Sequence, residues 1–191
     1  MPSNSHQRWT AERSEALDEI ENAHASVGGT GPGRRYATQQ INQAYAVLLS
    51  SQFQGFCRDL HSECAESLLA AMPARLRDVV NVQFSWGRAL DRGNPNPGNI
   101  GSDFNRFGLA FWTAVLADHQ HNDRRREYLD ALNAWRNAIS HQDFDPERLG
   151  GTTVLHLATV RQWRNSLNGL ATSFDNVMGA YLGGLLGAPP W

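Results

Sequence analysis

Residues 41–69 read INQAYAVLLSSQFQGFCRDLHSECAESLL. Ile41, Tyr45, Leu49, Phe53, Phe56, Leu60, Cys64 and Leu68 recur at steps of four and three. A helix turns about 100° per residue, so these positions share one face, and the spacing predicts one long helix from about Tyr36 to Met72. Pro73 ends it or kinks it.

Working outward, a second signal of equal length lies near the other end. Val160, Leu167, Phe174 and Tyr181 form one row at heptad spacing, and Trp163, Leu170 and Val177 form its companion. Two such rows predict a helix over about 157–186, packed lengthwise against its neighbours. No run of alternating residues competes with either pattern. The expected class is therefore all-α, a helical bundle built on two long helices.

The remaining segments are shorter. Residues 5–26 fit a helix with Leu17 and Ile20 on one side, and GGTGPGRR at 28–35 reads as a flexible joint. Residues 76–90 fit a helix or, through Val79, Val80, Val82 and Phe84, a strand. DRGNPNPGNIGSDF at 91–104, with two Asn-Pro steps, reads as loop. Short helices are expected at about 106–119 and 123–140. The resulting organisation is an N-terminal helix and linker at 1–35, a bundle at 36–185 and a tail at 186–191.

Composition narrows the function. At 191 residues with 41% hydrophobic and 19% charged residues, the chain can bury a substantial core and is not of disordered type. A formal net charge of −2 gives no overall pull towards nucleic acid. Every basic residue among the 17 is Arg, which offers planar forked donors to phosphate wherever the fold gathers it. MPSNSHQRWT at the start lacks the apolar run of a secretory signal, and the apolar stretch VMGAYLGGLLGAPPW is shorter than the roughly 20 residues a membrane span needs. Cys57 and Cys64 lie seven apart on the long helix, about 10.5 Å of rise, too far for a disulfide. These features predict a cytoplasmic protein with reduced core thiols and no membrane association.

One short stretch carries chemistry. In LNAWRNAISHQDF, residues 132–144, Arg136, Asn137, Ser140 and His141 crowd into the last two turns of an amphipathic helix. Residues four apart lie about 40° apart around the axis, so Asn137 can face His141 and Arg136 can face Ser140. Arg136 and His141, five apart, diverge by about 140° on a regular helix. They converge if His141 sits beyond the last regular turn or if a second copy of the chain completes the site. An imidazole exchanges protons near neutral pH, and a guanidinium holds phosphate through two parallel hydrogen bonds. Without an acidic or Cys cluster, that pair suits metal-free cleavage of RNA, whose ribose 2′-hydroxyl supplies the nucleophile. The competing reading is structural, with cations placed at a helix C-terminus where the macrodipole favours them.

RNAISH at 136–141 resembles the signature of the HEPN superfamily, an Arg followed after four to six residues by His, commonly with Asn directly after the Arg. The stretch 44–69 is also similar to the long second helix of stand-alone bacterial HEPN proteins, and the resemblance spans roughly residues 36–185. It implies a metal-independent endoribonuclease without cofactor, with an active site shared between two subunits of a homodimer. Arg136 and His141 would be the catalytic pair, and Asn137 would orient the phosphate or the imidazole. The family includes toxins of toxin–antitoxin and phage-defence systems, often acting on tRNA, so an antitoxin protein is an implied partner. It also includes members that bind RNA or proteins without cutting. Some members carry a Tyr two residues after the His, which an antitoxin nucleotidyltransferase modifies; this chain has Asp143 there.

Other candidates surround the motif. Arg124, Arg125 and Arg126 open the motif's helix, either as RNA backbone contacts or as a solvated face paired with Asp123 and Glu127. Ser140, Asp143 and, from the long helix, Asp59 could support the catalytic pair. His119 and His121 form His-x-His, but no Cys or acidic cluster accompanies them, so no metal site is expected.

Overall fold

The long apolar stripe forms the axis of the molecule. The computed structural model describes residues 1–27 and 34–191, and within them α3 spans Arg34–Ala70. Tyr45, Leu49, Phe53, Phe56, Leu60 and Cys64 are fully buried along it. Against α3 lie α7 (Asn122–His141) and α8 (Leu157–Leu186), which also pack on each other. Both heptad rows of α8 point inward, with Val160, Trp163, Leu167, Leu170 and Phe174 buried. The fold is all-α. Most of the apolar rows of the two long helices is buried within this chain's own core.

Phe174 stands at the centre of an aromatic cluster. Its ring lies 4.9 Å from Phe111, 5.9 Å from Phe53 and 6.2 Å from Phe104, centroid to centroid. Full burial of each such ring contributes roughly 2–3 kcal/mol. Cys57 and Cys64 are free thiols inside the core, where burial pushes both thiols up in pKa.

The first 27 residues belong to this core. A helical run comprises α1 (Asn4–Arg8), a π-helical turn (Trp9–Arg13) and α2 (Ser14–Val27). Trp9 and Leu17 are buried, and Trp9 meets Phe53 edge-on at 5.6 Å. Carboxylates from the bundle hold the run's open N–H groups: Glu63 accepts from Asn4 and Ser5 at 2.8 and 2.9 Å, and Asp175 accepts from Ser3 at 3.1 Å. Acids at a helix N-terminus satisfy orphan donors and the dipole together. The division drawn at residue 35 therefore runs through one core. Most of the expected joint, residues 28–33, lies outside the described residues, while Arg34 and Arg35 already belong to α3. The tail is also engaged, since the Trp191 ring packs on Gly179 of α8.

Residues 74–85 settle as a helix, α4 (Ala74–Ser85), rather than a strand. It packs through Phe84 and Val80 and leaves Leu76, Val79, Val82 and the following Trp86 exposed. The stretch expected to be loop contains a helix, α5 (Pro97–Phe104). The Asn96 side chain caps it by accepting from Asn99 N–H at 2.8 Å, and Pro97 takes the first helical position, where its missing donor costs nothing. A 3-10 turn at Asn105–Phe107 and α6 (Phe111–Asp118) then lead into α7. No described helix is long and apolar enough to cross a membrane.

Candidate functional site

α7 ends on the last residue of the motif because the backbone reverses its hand directly after it. Gln142 takes φ 54° and ψ 34°, the left-handed conformation that usually calls for glycine. Asp143 N–H then returns to Ala138 C=O at 3.0 Å, closing the helix as a Schellman motif does. His141 is consequently the last residue of the regular helix and does not lie beyond it. The first route by which Arg136 and His141 could converge is thereby removed, and their Cα directions differ by about 140°.

The guanidinium of Arg136 nevertheless leans towards the motif's other members. Arg136 is half-buried, whereas Asn137, Ser140 and His141 are exposed. Asn137 Oδ1 accepts from Asn94 Nδ2 at 2.5 Å and receives a long contact from Arg136 Nη1 at 3.5 Å. His141 stands one turn further along the face that Asn137 occupies, and among the described residues its ring has no hydrogen-bond or ion-pair partner. The cluster is thus Asn94, Asn137 and Arg136 in contact, with an open imidazole about 6 Å of helix rise beyond Asn137.

Asn94 was missed by the sequence reading. It sits in the loop before α5, which several side chains pin in place. Gln54 donates to Leu90 and Gly93 carbonyls at 2.6 and 2.8 Å, Asn133 donates to Pro95 C=O at 3.1 Å, and Asn99 donates to Asn94 C=O at 2.8 Å. Only the Asn-rich composition of that loop hinted at it.

The supporting residues separate. Asp143 caps the helix end through its backbone, and its carboxylate lies 3.9 Å from Arg148 Nη1. Ser140 is exposed beside the motif. Asp59 is engaged elsewhere: it accepts from Arg13 Nη2 at 2.7 Å and pairs with Arg8 at 3.2 Å. Its role is to fasten the N-terminal run to α3, not to support the motif.

The three arginines at the start of α7 diverge around the helix. Arg124 pairs with Glu127 at 2.5 Å and covers the Tyr128 ring at 4.6 Å. Arg126 lies 3.4 Å from Asp123 and 5.9 Å from the Trp112 ring. Arg125 donates from Nη1 to the amide oxygen of Asn122 at 2.8 Å. This matters by comparison. The half-buried Arg13, Arg88, Arg106, Arg126 and Arg164 each reach a carboxylate. Among the described residues, Arg125 and Arg136 do not; each has an Asn oxygen instead, and both lie on α7.

His119 and His121 contact each other through His121 N–H and His119 Nδ1 at 3.1 Å, and no group of three metal-ligating side chains gathers among the described residues. His61 is the buried imidazole. It contacts the Asp103 carbonyl at 3.2 Å between the rings of Phe104 and Phe107. Burial, reinforced by the charge of Arg88, lowers its pKa from 6.5 to about 4 and keeps it neutral.

No family model, curated protein or solved structure matches the chain.

Proposed function

We propose that the chain is a metal-independent endoribonuclease of the HEPN type, acting on single-stranded RNA or tRNA loops, with Arg136 and His141 as its reacting pair. The observation that carries this reading is the charge left open at the end of α7. Arg136 is half-buried, has no carboxylate partner among the described residues, and leans on Asn137, one turn before the exposed imidazole of His141. A guanidinium left without its counterion in a partly desolvated position favours an incoming anion.

In the proposed reaction the ribose 2′-hydroxyl attacks the adjacent phosphorus and the 5′-oxygen leaves, giving a 2′,3′-cyclic phosphate. His141 removes the proton from the attacking hydroxyl or supplies one to the leaving oxygen. Arg136 clamps the phosphate oxygens as charge grows on them, and Asn137, held by Asn94, orients the group. Because Arg136 and His141 diverge by about 140° within one chain, this reading requires a homodimer in which a second copy completes the site. An arrangement within a toxin–antitoxin or phage-defence system, with an antitoxin protein as partner, is part of the same reading.

The same divergence favours a second reading, a non-catalytic RNA-binding or protein-interaction module of the same type. Wild type, His141→Ala and Arg136→Ala are compared on total cellular RNA in EDTA, with product ends mapped and mass measured by sedimentation. The nuclease reading expects cyclic-phosphate ends from wild-type dimer and a loss of about a hundredfold or more in either variant. No cutting by folded dimeric wild type would leave the module. Equal cutting by all three would remove Arg136 and His141 from the chemistry.

A further inference from the structure

A second open charge lies at the opposite end of α7, on the side facing α8. There the two helices leave a surface groove of about 740 Å³, lined by Arg124, Arg125, Tyr128, Arg161, Gln162 and Asn165, among others. Two of its arginines are already neutralised at the rim, Arg124 by Glu127 and Arg161 by Glu21 at 2.6 Å. Arg125 is not.

Arg125 is also built in. Its guanidinium occupies the space beside Gly169 of α8 that a side chain would take: a Cβ placed on Gly169 would collide with Cζ, Nε and Nη2. Glycine inside a helix lowers its stability, so its presence midway along α8 needs a packing reason. Arg125 supplies that reason. The other fixed point is Asn122, fully buried, whose Nδ2 donates to Val115 C=O at 2.6 Å and Ser173 Oγ at 2.9 Å. Those bonds orient its Oδ1 to receive Arg125 Nη1 at 2.8 Å. The cation is thus held in one orientation by an amide and a glycine, while no carboxylate cancels its charge among the described residues.

We infer that this groove binds phosphate, with the guanidinium of Arg125 as the anchor. A guanidinium fixed in this way has already given up the freedom that an anion would otherwise have to take from it. The groove is an open trough; Arg124 already covers a face of the Tyr128 ring that lines it, and the His121 imidazole lines it as well. An open trough between two helices, with a fixed cation on its wall, fits a chain of phosphodiesters lying along the helices. RNA backbone is accordingly the expected source, held at a distance from Arg136 and His141. The inference shares the RNA of the proposed function but does not need the chain to cut it.

The test uses the full chain and a short fluorescent 2′-O-methyl oligoribonucleotide, which has no free 2′-hydroxyl and cannot be cleaved by the proposed reaction. Binding is followed by anisotropy over a range of salt, with adenosine 5′-monophosphate and inorganic phosphate as competitors. Arg125→Ala is expected to weaken binding roughly tenfold and to lower the salt slope by about one. Arg125→Lys recovers only part, because a point charge on a mobile stem replaces a fixed fork. Gly169→Ala keeps every charge yet displaces the guanidinium, and is expected to weaken binding as well. Should Arg125→Ala not fold, Gly169→Ala and Arg125→Gln decide the matter. Competition by the mononucleotide at concentrations matching the oligonucleotide would keep the phosphate anchor and change its source. Folded variants that bind within twofold of wild type, with an unchanged salt slope, would overturn the inference.

Discussion

The molecule lays a guanidinium on a mid-helix glycine twice, and the two sites differ in a single respect. On α3, Gly55 leaves room for Arg13; on α8, Gly169 leaves room for Arg125. Each glycine gives up about 1 kcal/mol of helix stability relative to alanine. Arg13 is then neutralised, with Asp59 at 2.7 Å and Gln52 at 2.8 Å, and it fastens the N-terminal run to the bundle. Arg125 receives an amide oxygen and remains charged. The same local device therefore serves attachment in one place and leaves a usable charge in the other. What separates them is whether a carboxylate lies within reach.

The α3 side should accordingly tolerate no stranded charge, and His61 gives the largest expected effect. Its pKa is about 4 when folded, against 6.5 when exposed. The neutral folded ring contributes stability that is complete above about pH 6.5 and is lost as pH falls towards 4, because the unfolded chain takes up the proton first. The difference amounts to about 3 kcal/mol. Urea unfolding of wild type and His61→Phe at pH 7 and pH 4 measures it, since contributions common to both proteins cancel. Identical losses in the two would mean that His61 is not kept neutral.

Substituting the glycines sharpens the comparison directly. Gly55→Ala drives Arg13 off its seat and strands Asp59 beside Arg8 alone, at an expected cost of about 2 kcal/mol. Gly169→Ala lets Arg125 swing into the open groove, and the gain in helix propensity offsets the lost bond to Asn122. The expected net change is within about 1 kcal/mol of zero. Denaturant midpoints for both variants test the pair. Equal destabilisation would show that Arg125 is a structural clamp like Arg13 and would break the distinction between them.

These contrasts also explain what the sequence disclosed. α3 and α8 were legible because their apolar rows repeat over many turns, and one-sided burial demands such repetition. α5 was not, because Asn96-Pro97 belongs equally to a turn and to a helix start, and the choice depends on Ile100 and Phe104 finding the core. The angular gap between Arg136 and His141 could be computed from spacing alone, but whether His141 left the helix depended on the conformation of Gln142. Asp59 was assigned to the wrong neighbourhood because its partners lie 46 and 51 residues away along the chain, at Arg13 and Arg8. Arg124, Arg125 and Arg126 look alike as letters. Only the positions of Glu127, Asp123 and Gly169 in space make the middle one different.

The smallest expected effect reverses the comparison. At Gly55 and Gly169 glycine serves packing although the backbone does not require it; at Gln142 the backbone requires it and the chain supplies glutamine. A left-handed non-glycine residue costs about 1 kcal/mol, partly offset here because Gln142 Nε2 donates to Ile139 C=O at 2.8 Å. Gln142→Gly is therefore expected to stabilise the protein by about 0.5 kcal/mol, read as a rise in denaturant midpoint. A gain would show that the chain keeps strain directly after His141, as residues beside functional sites often do. A loss would show instead that the glutamine amide is the true cap of α7, holding its last turn, and with it the imidazole, in place.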